Sequence, residues 1–243
     1  MELKIKLVKR SVDIACTSIG LVLASPLMVF IAVAIKLDSK GPLIYRQRRA
    51  GVLMGTMRRN GAPSVQFTEF DMPKFRTMRP DAERLTGPVI THNGDTRVTR
   101  VGRFLRRTRL DELPQLWCVL RGQMSLVGPR PERPELLRNL ALAIPLFEER
   151  MRGVKPGLTG LAQIHLGYDG KAPPGSLIAA VQAELVNPFK FDQASQSTAD
   201  GMRIKLLYDL AYSATLDDFG VWARTEAEIL LRTPLTMLLG KGY

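Results

Sequence analysis

The feature that most constrains this 243-residue chain is an apolar run near its start. From Val12 to Ile35 it reads VDIACTSIGLVLASPLMVFIAVAI, 24 residues with Asp13 as the sole charge. A run of that length can cross a hydrocarbon core of about 30 Å. A signal peptide is a poor reading, because the run is too long and no small-residue cleavage site follows it. Basic residues stand on both sides, with Lys4, Lys6, Lys9 and Arg10 before it and Lys36, Lys40, Arg46, Arg48 and Arg49 after it. Basic flanks tend to stay on the cytoplasmic side, so both ends favour the same side. In the middle lies Ser25-Pro26. A proline removes one backbone donor and crowds the carbonyl four residues back, here that of Val22. Together these features predict a re-entrant membrane helix, broken at Ser25-Pro26, that leaves on the side it entered. A kinked spanning helix and the buried core helix of a soluble protein are the alternatives.

Beyond this segment the chain reads as mostly α with a small β element. Residues 1–40 form the membrane unit, and 41–243 form a cytoplasmic domain with amphipathic helices at the interface. Residues 38–80 are rich in Gly, Pro and basic residues, with short β-prone pieces at Leu43–Tyr45 and Val65–Phe67. They predict irregular structure around one small hairpin. Arg97, Arg100, Arg103, Arg106, Arg107 and Arg109 carry helical spacing and form a basic stripe. Pro134–Arg152 is a second amphipathic candidate with a kink at Pro145, and Arg203–Leu239 reads as one or two helices. Residues 165–200 read as a variable region with a short helix near Leu177–Leu185.

Charge narrows the function. The chain carries 35 Lys+Arg against 23 Asp+Glu, a net +12, which calls for a polyanionic partner: nucleic acid, anionic lipid or a phosphorylated substrate. Only Cys16, Cys118, His92 and His165 are present of their kinds, so a disulfide framework and a His/Cys metal site are excluded. The densest chemistry is Arg109-Leu-Asp-Glu-Leu-Pro-Gln-Leu-Trp117, where Asp111 and Glu112 are the sole acids between Asp95 and Glu132. Adjacent helical residues point about 100° apart, so both carboxylates serve one pocket only near a helix end or turn. They could equally cap the helix that Pro114 opens. In Ser125-Leu-Val-Gly-Pro-Arg-Pro-Glu132, two prolines stiffen the backbone around Arg130, a residue suited to two-pronged phosphate contact. Lys74-Phe-Arg76 places two cations on one side of an extended chain.

These pieces resemble the monotopic phosphoglycosyl transferases, bacterial sugar transferases that start glycoconjugate assembly on undecaprenyl phosphate. The likeness runs through Lys9-Arg10…Asp13, Ser25-Pro26, Asp38-Ser-Lys-Gly-Pro42, Gln47-Arg48, Lys74-Phe-Arg-Thr-Met78 and Asp95–Gly102. It continues through Leu110–Leu116, Gly122–Glu132, Lys155–Gln163 and Tyr208-Asp209. Gln123 and Cys118 depart from the family's usual Asp and Asn, Gly51–Pro73 is unusually long, and 165–200 lacks the usual asparagine-rich, tryptophan-containing continuation.

The resemblance implies that Asp111 attacks the sugar-bearing phosphate of a nucleotide sugar, a UDP-sugar by preference, and expels the nucleoside monophosphate. Undecaprenyl phosphate then takes the phosphosugar, the first membrane step of exopolysaccharide, capsule, O-antigen or glycoprotein glycan synthesis. It further implies Mg²⁺ held by Asp111 and Glu112, phosphate contacts from Lys74, Arg76, Arg106 and Arg130, and a substrate or structural contact for Asp209. The expected setting is the bacterial inner membrane with the catalytic domain facing the cytoplasm, anionic lipids as partners and no nucleic acid. A homodimer, the sugar and the role of Glu112 as metal ligand or proton acceptor stay open. A membrane-tethered nucleic-acid-binding protein and a non-catalytic scaffold are the rival classes. The first is disfavoured because Asp111 and Glu112 would repel a phosphate backbone.

Overall fold

The computed structural model describes residues 2–59, 62–80, 95–166, 175 and 193–238. Its first element, α1 (Leu3–Asp38), is a single 36-residue helix. It is long and apolar enough to cross a bilayer by length and composition. The interruption expected at Ser25-Pro26 is absent, since Pro26 lies inside the helix. The local reason is visible. Residue 26 cannot donate to the Val22 carbonyl, and the Ser25 hydroxyl donates to that same oxygen at 2.8 Å.

α1 has two faces. Ile5, Lys9, Asp13 and Thr17, spaced four apart, are buried, as are Ile31 and Ile35 further on. Leu3, Leu7, Ile14, Val22, Leu23, Phe30, Val33 and Leu37 are exposed. The buried face lies against the rest of the chain at both ends. Near its start Ile5 joins a core with Leu116, Val119, Met124, Val127, Tyr212, Trp222 and Ile229. Near its end Ile31 and Ile35 pack on Phe75 and Leu105.

The isolated charge Asp13 is explained by this docking. Its carboxylate accepts from Ser125 Oγ at 3.0 Å and from the Leu126 amide at 2.9 Å. Arg10 donates to the carbonyls of Val119 and Leu120, both at 2.6 Å. Lys9 pairs with Glu226, which also accepts from Tyr212 at 2.8 Å and Trp222 at 3.1 Å.

Two long strands follow, β1 (Ile44–Arg59) and β2 (Ala62–Phe75), paired antiparallel from Ile44↔Phe75 to Arg59↔Ala62. This ribbon corrects the small hairpin and irregular structure expected from the sequence. Register shifts between Ala50 and Gly55 break the two-residue alternation that announces a strand. Ala50, Leu53 and Phe67 of the ribbon pack on Leu137, Phe147, Met151 and Leu206.

The remaining elements are short until the end. They are α2 (Arg100–Thr108), a 3₁₀ helix (Leu110–Gln115), α3 (Leu116–Leu120), β3 (Ser125–Val127) and α4 (Pro134–Ala143). A second 3₁₀ helix (Phe147–Met151), β4 (Gly157–Thr159), α5 (Leu161–His165), α6 (Gln193–Thr215) and α7 (Phe219–Leu238) complete them. The amphipathic stretch from Pro134 thus stops at Ala143, ahead of Pro145, rather than continuing to Arg152. β3 pairs parallel with β4, and the two cross closely at Gly128, where an added Cβ would lie 2.4 Å from the Lys155 carbonyl. The short helix expected near 177–185 lies outside the described residues.

Lys9 and Glu226 join α1 to α7 in a site where neither is solvated. Breaking one partner of a buried pair costs about 3–5 kcal/mol, because the other is left as an uncompensated charge. Lys9→Met is therefore expected to lower the unfolding temperature in detergent strongly, and Lys9→Met/Glu226→Gln to recover part of the loss. A double variant as unstable as the sum of the singles would show that the pair does not couple the two helices.

Candidate active site

The acidic pair sits where α2 ends. Arg109 closes α2 at φ 60°, a left-handed conformation that costs a non-glycine residue roughly 1 kcal/mol, and so turns the chain into the 3₁₀ helix. That turn places Asp111 and Glu112 in its first residues, both buried. The sequence expectation of a helix opened by Pro114 is met differently: Pro114 lies within the 3₁₀ helix, and α3 begins at Leu116.

The two carboxylates occupy opposite electrostatic settings. Glu112 receives Lys74 Nζ at 2.9 Å, Arg130 Nη2 at 2.8 Å and Arg109 Nη1 at 3.4 Å. Burial alone would raise its pKa, but Arg130, Lys74 and Arg109 together outweigh burial and hold it well below the usual carboxylate range. Asp111 Oδ1 is buried with no hydrogen-bond partner. Burial first, and the neighbouring Glu112 charge second, push its pKa up to about 6 against the opposing pull of Lys74, Arg109 and Arg106. Glu112 is thus a fixed, neutralised anion, and Asp111 is a carboxylate with an open oxygen.

The cations are held from behind. Arg106 donates Nε to Thr77 Oγ1 at 2.8 Å. Arg130 lies on a loop whose carbonyls are bonded one after another. Gly157 donates to Pro129, Arg150 to Arg130, Arg49 to Pro131 and the Ala50 amide to Glu132. Arg150 is fully buried and pairs with Asp209 at 2.6 Å. Lys205 bonds Glu132, whose pKa falls to about 2 because Lys205, Arg150 and Arg49 overcome its burial.

The residues singled out from sequence therefore divide. Asp111, Glu112, Lys74, Arg106 and Arg130 come together in one cluster. Arg76 does not join it: beyond the end of β2 its guanidinium turns to Ser39, donating to that residue's carbonyl and hydroxyl at 2.7 and 2.8 Å. Asp209 is turned to Arg150 and reaches the cluster only through it. Arg109, Arg150, Glu132 and Lys205 were missed. Arg109 could have been found, since it directly precedes the acidic pair; the other three meet only through the fold.

Four cations, Lys74, Arg106, Arg109 and Arg130, face two carboxylates, so the pocket carries a surplus of two positive charges. That suits a phosphate chain. Among the described residues no group of three or more His, Cys, Asp or Glu could hold a metal by itself. Mg²⁺ commonly takes one or two carboxylates and completes its shell with substrate phosphates and water. The unpartnered Asp111 Oδ1 fits that use.

Comparison with known proteins agrees with this arrangement. The sequence profile described as bacterial sugar transferase matches residues 4–240. The chain belongs to the bacterial sugar transferase family. Among similar proteins, the UDP-N-acetylgalactosamine-undecaprenyl-phosphate N-acetylgalactosaminephosphotransferase of Aeromonas hydrophila is 34% identical over 235 residues, 97% of this chain and 44% of that protein. The UDP-glucose:undecaprenyl-phosphate glucose-1-phosphate transferase of Caulobacter vibrioides is 44% identical over 158 residues, 64% of this chain and 53% of that protein. The chain thus spans about half the length of these relatives. The resemblance read from the motifs is borne out, and this bacterial sugar transferase carries its paired acids in a cationic pocket.

The Asp111 setting has a thermodynamic consequence. Its folded pKa, about 6, exceeds the ordinary 3.8, so its contribution to stability is present at low pH and lost as pH rises through 6. Asp111→Asn is expected to stabilise the fold by on the order of 1–3 kcal/mol at pH 7.5. The gain should vanish near pH 4. Thermal unfolding of both proteins across that range checks it; equal stability at pH 7.5 would place Asp111 in water.

Proposed function

We propose that this chain transfers a sugar-1-phosphate from a nucleotide sugar, by preference a UDP-sugar, to undecaprenyl phosphate through a covalent intermediate on Asp111. The observation that carries this reading is the contrast between the two acids. Glu112 has its oxygens engaged by cations, whereas Asp111 keeps one buried oxygen without a partner. An ionised Asp111 is the available nucleophile at neutral pH, because its pKa of about 6 lies below 7.

In the first half-reaction an Asp111 oxygen bonds to the sugar-bearing phosphorus. The bond from that phosphorus to the bridging oxygen breaks, and the electron pair leaves on the nucleoside monophosphate. Lys74, Arg106 and Arg130 lie where they can hold the phosphate oxygens and stabilise the charge that develops on them. In the second half-reaction an oxygen of undecaprenyl phosphate attacks the same phosphorus. The Asp111–phosphorus bond breaks, giving the undecaprenyl-diphosphate sugar and restoring the carboxylate. Asp111, whose oxygen is open, would hold Mg²⁺, and Glu112 could join it only by giving up one of its cations; the ion would neutralise phosphate charge when bound.

The reading includes a one-sided membrane topology. α1 rests on the same body near its start, through Ile5, Lys9 and Asp13, and near its end, through Ile31 and Ile35. A helix that crossed a bilayer would leave those ends on opposite faces. An α1 that enters and stays with its domain satisfies both contacts while its exposed apolar face meets lipid. The basic residues at both ends support a domain on the cytoplasmic face of the inner membrane.

Kinetics test the reaction. Nucleoside monophosphate should be released before any acceptor lipid is added, with a ping-pong rate law. Because the nucleophile must be ionised, that release should fall as pH drops through about 6. Asp111→Asn should abolish it. A rate law that requires both substrates together would replace the covalent route with direct attack by the lipid phosphate.

A further inference from the structure

Away from the acidic pair, where α1 ends, a cavity of about 400 Å³ opens among Asp38, Ser39, Arg79, Thr99, Arg100 and Arg103. Its one carboxylate is already committed: Asp38 accepts the Val101 amide at 3.0 Å at the start of α2. The next amide, of Gly102, is taken by Thr99 Oγ1. Arg79, Arg100 and Arg103 are exposed cations; Arg100 and Arg103 share the Asp38 charge, and Arg103 also donates to the Val98 carbonyl.

Behind the Ser39 wall stands an uncompensated charge. Arg76 is 6% exposed, and its Nε and Nη1 are buried without a hydrogen-bond partner. Among the described residues it has no ion pair; Ser39 alone receives it, through Nη2. A buried guanidinium with no counter-ion is unfavourable unless a negative group completes it. The cavity therefore presents three arginines against one carboxylate, with the buried Arg76 behind its Ser39 wall.

Its position selects the anion. Leu37, directly before Asp38, is 83% exposed, and Phe30 and Val33 on α1 and Phe104 on α2 are exposed beside it. Lys36 and Lys40 flank the same turn. Apolar chain giving way to clustered cations is the signature of the lipid headgroup level.

We propose that this cavity seats the phosphate of a membrane lipid, distinct from the site where the phosphosugar is transferred. The proposal rests on the reading of the chain as a lipid-directed transferase. Its test, though, needs no turnover. Detergent-solubilised full chain is titrated with undecaprenyl phosphate, with phosphatidylglycerol and with inorganic phosphate, and affinity is read from the rise in unfolding temperature. Arg79→Gln/Arg100→Gln should weaken lipid affinity roughly tenfold or more, by the loss of two headgroup-level charges. Arg107→Gln, which removes one charge from α2 outside the cavity, should not, and each of the single variants Arg79→Gln and Arg100→Gln should weaken affinity more than it does.

Nucleoside monophosphate release before acceptor should be unchanged in the double variant. Weakening confined to undecaprenyl phosphate identifies the acceptor as the occupant; equal weakening with phosphatidylglycerol makes the cavity a general headgroup seat. Either supports the proposal. Wild-type lipid affinity in the double variant overturns it, as does an equal loss in Arg107→Gln. A wild-type chain that releases no monophosphate would instead contradict the proposed reaction, leaving the lipid titration to decide the cavity.

Discussion

Glu112 is the tie on which the site depends. Its carboxylate gathers Lys74 from β2, Arg109 from the end of α2 and Arg130 from the loop after β3. Three elements distant in sequence are thereby fixed around one buried negative charge. Without it, three cations would face one another in a site of low water content, at a cost of several kcal/mol. With it, they keep enough surplus charge to attract phosphates and leave Asp111 unpaired. The cost of burying Asp111 as an anion is carried by this arrangement, consistent with active sites holding groups that oppose stability.

The same economy of buried charge governs the helix that meets the membrane. Lys9, Arg10 and Asp13 lie on the domain-facing side of α1, and each has partners in the core or on exposed carbonyl ends. The exposed side is mainly apolar between Val12 and Ile35, with Lys4, Lys6 and Lys36 exposed at the two ends of the helix. Polar specificity on one face and lipid solubility on the other let one segment be both membrane anchor and structural element. Pro26 fits because Ser25 serves the carbonyl that the proline leaves open.

Much of this was legible in the sequence, for definable reasons. The apolar run, the basic flanks and the acidic pair are local patterns, and local patterns report directly on helix formation and charge. The resemblance alone ranked Asp111 over Glu112; the electrostatic contrast between them was not legible in the residues. It depends on Lys74 and Arg130, 38 and 18 residues away, choosing one carboxylate and not its neighbour. Arg76 was misplaced because strand alternation ends at Phe75, after which its side chain follows the turn to Ser39. The long ribbon was shortened in expectation because its bulges disrupt the alternating pattern. Asp209 could be noticed but not interpreted, since its partner Arg150 is 59 residues away and fully buried.

The central claim is that the two adjacent carboxylates have different chemical roles fixed by their surroundings. Mass spectrometry of the full chain incubated with a nucleotide sugar alone, followed by peptide mapping, tests it most directly. The account predicts a phosphosugar adduct on Asp111, formed without acceptor lipid and discharged when undecaprenyl phosphate is added. An adduct on Glu112, or an unmodified chain under conditions that support turnover, would contradict it.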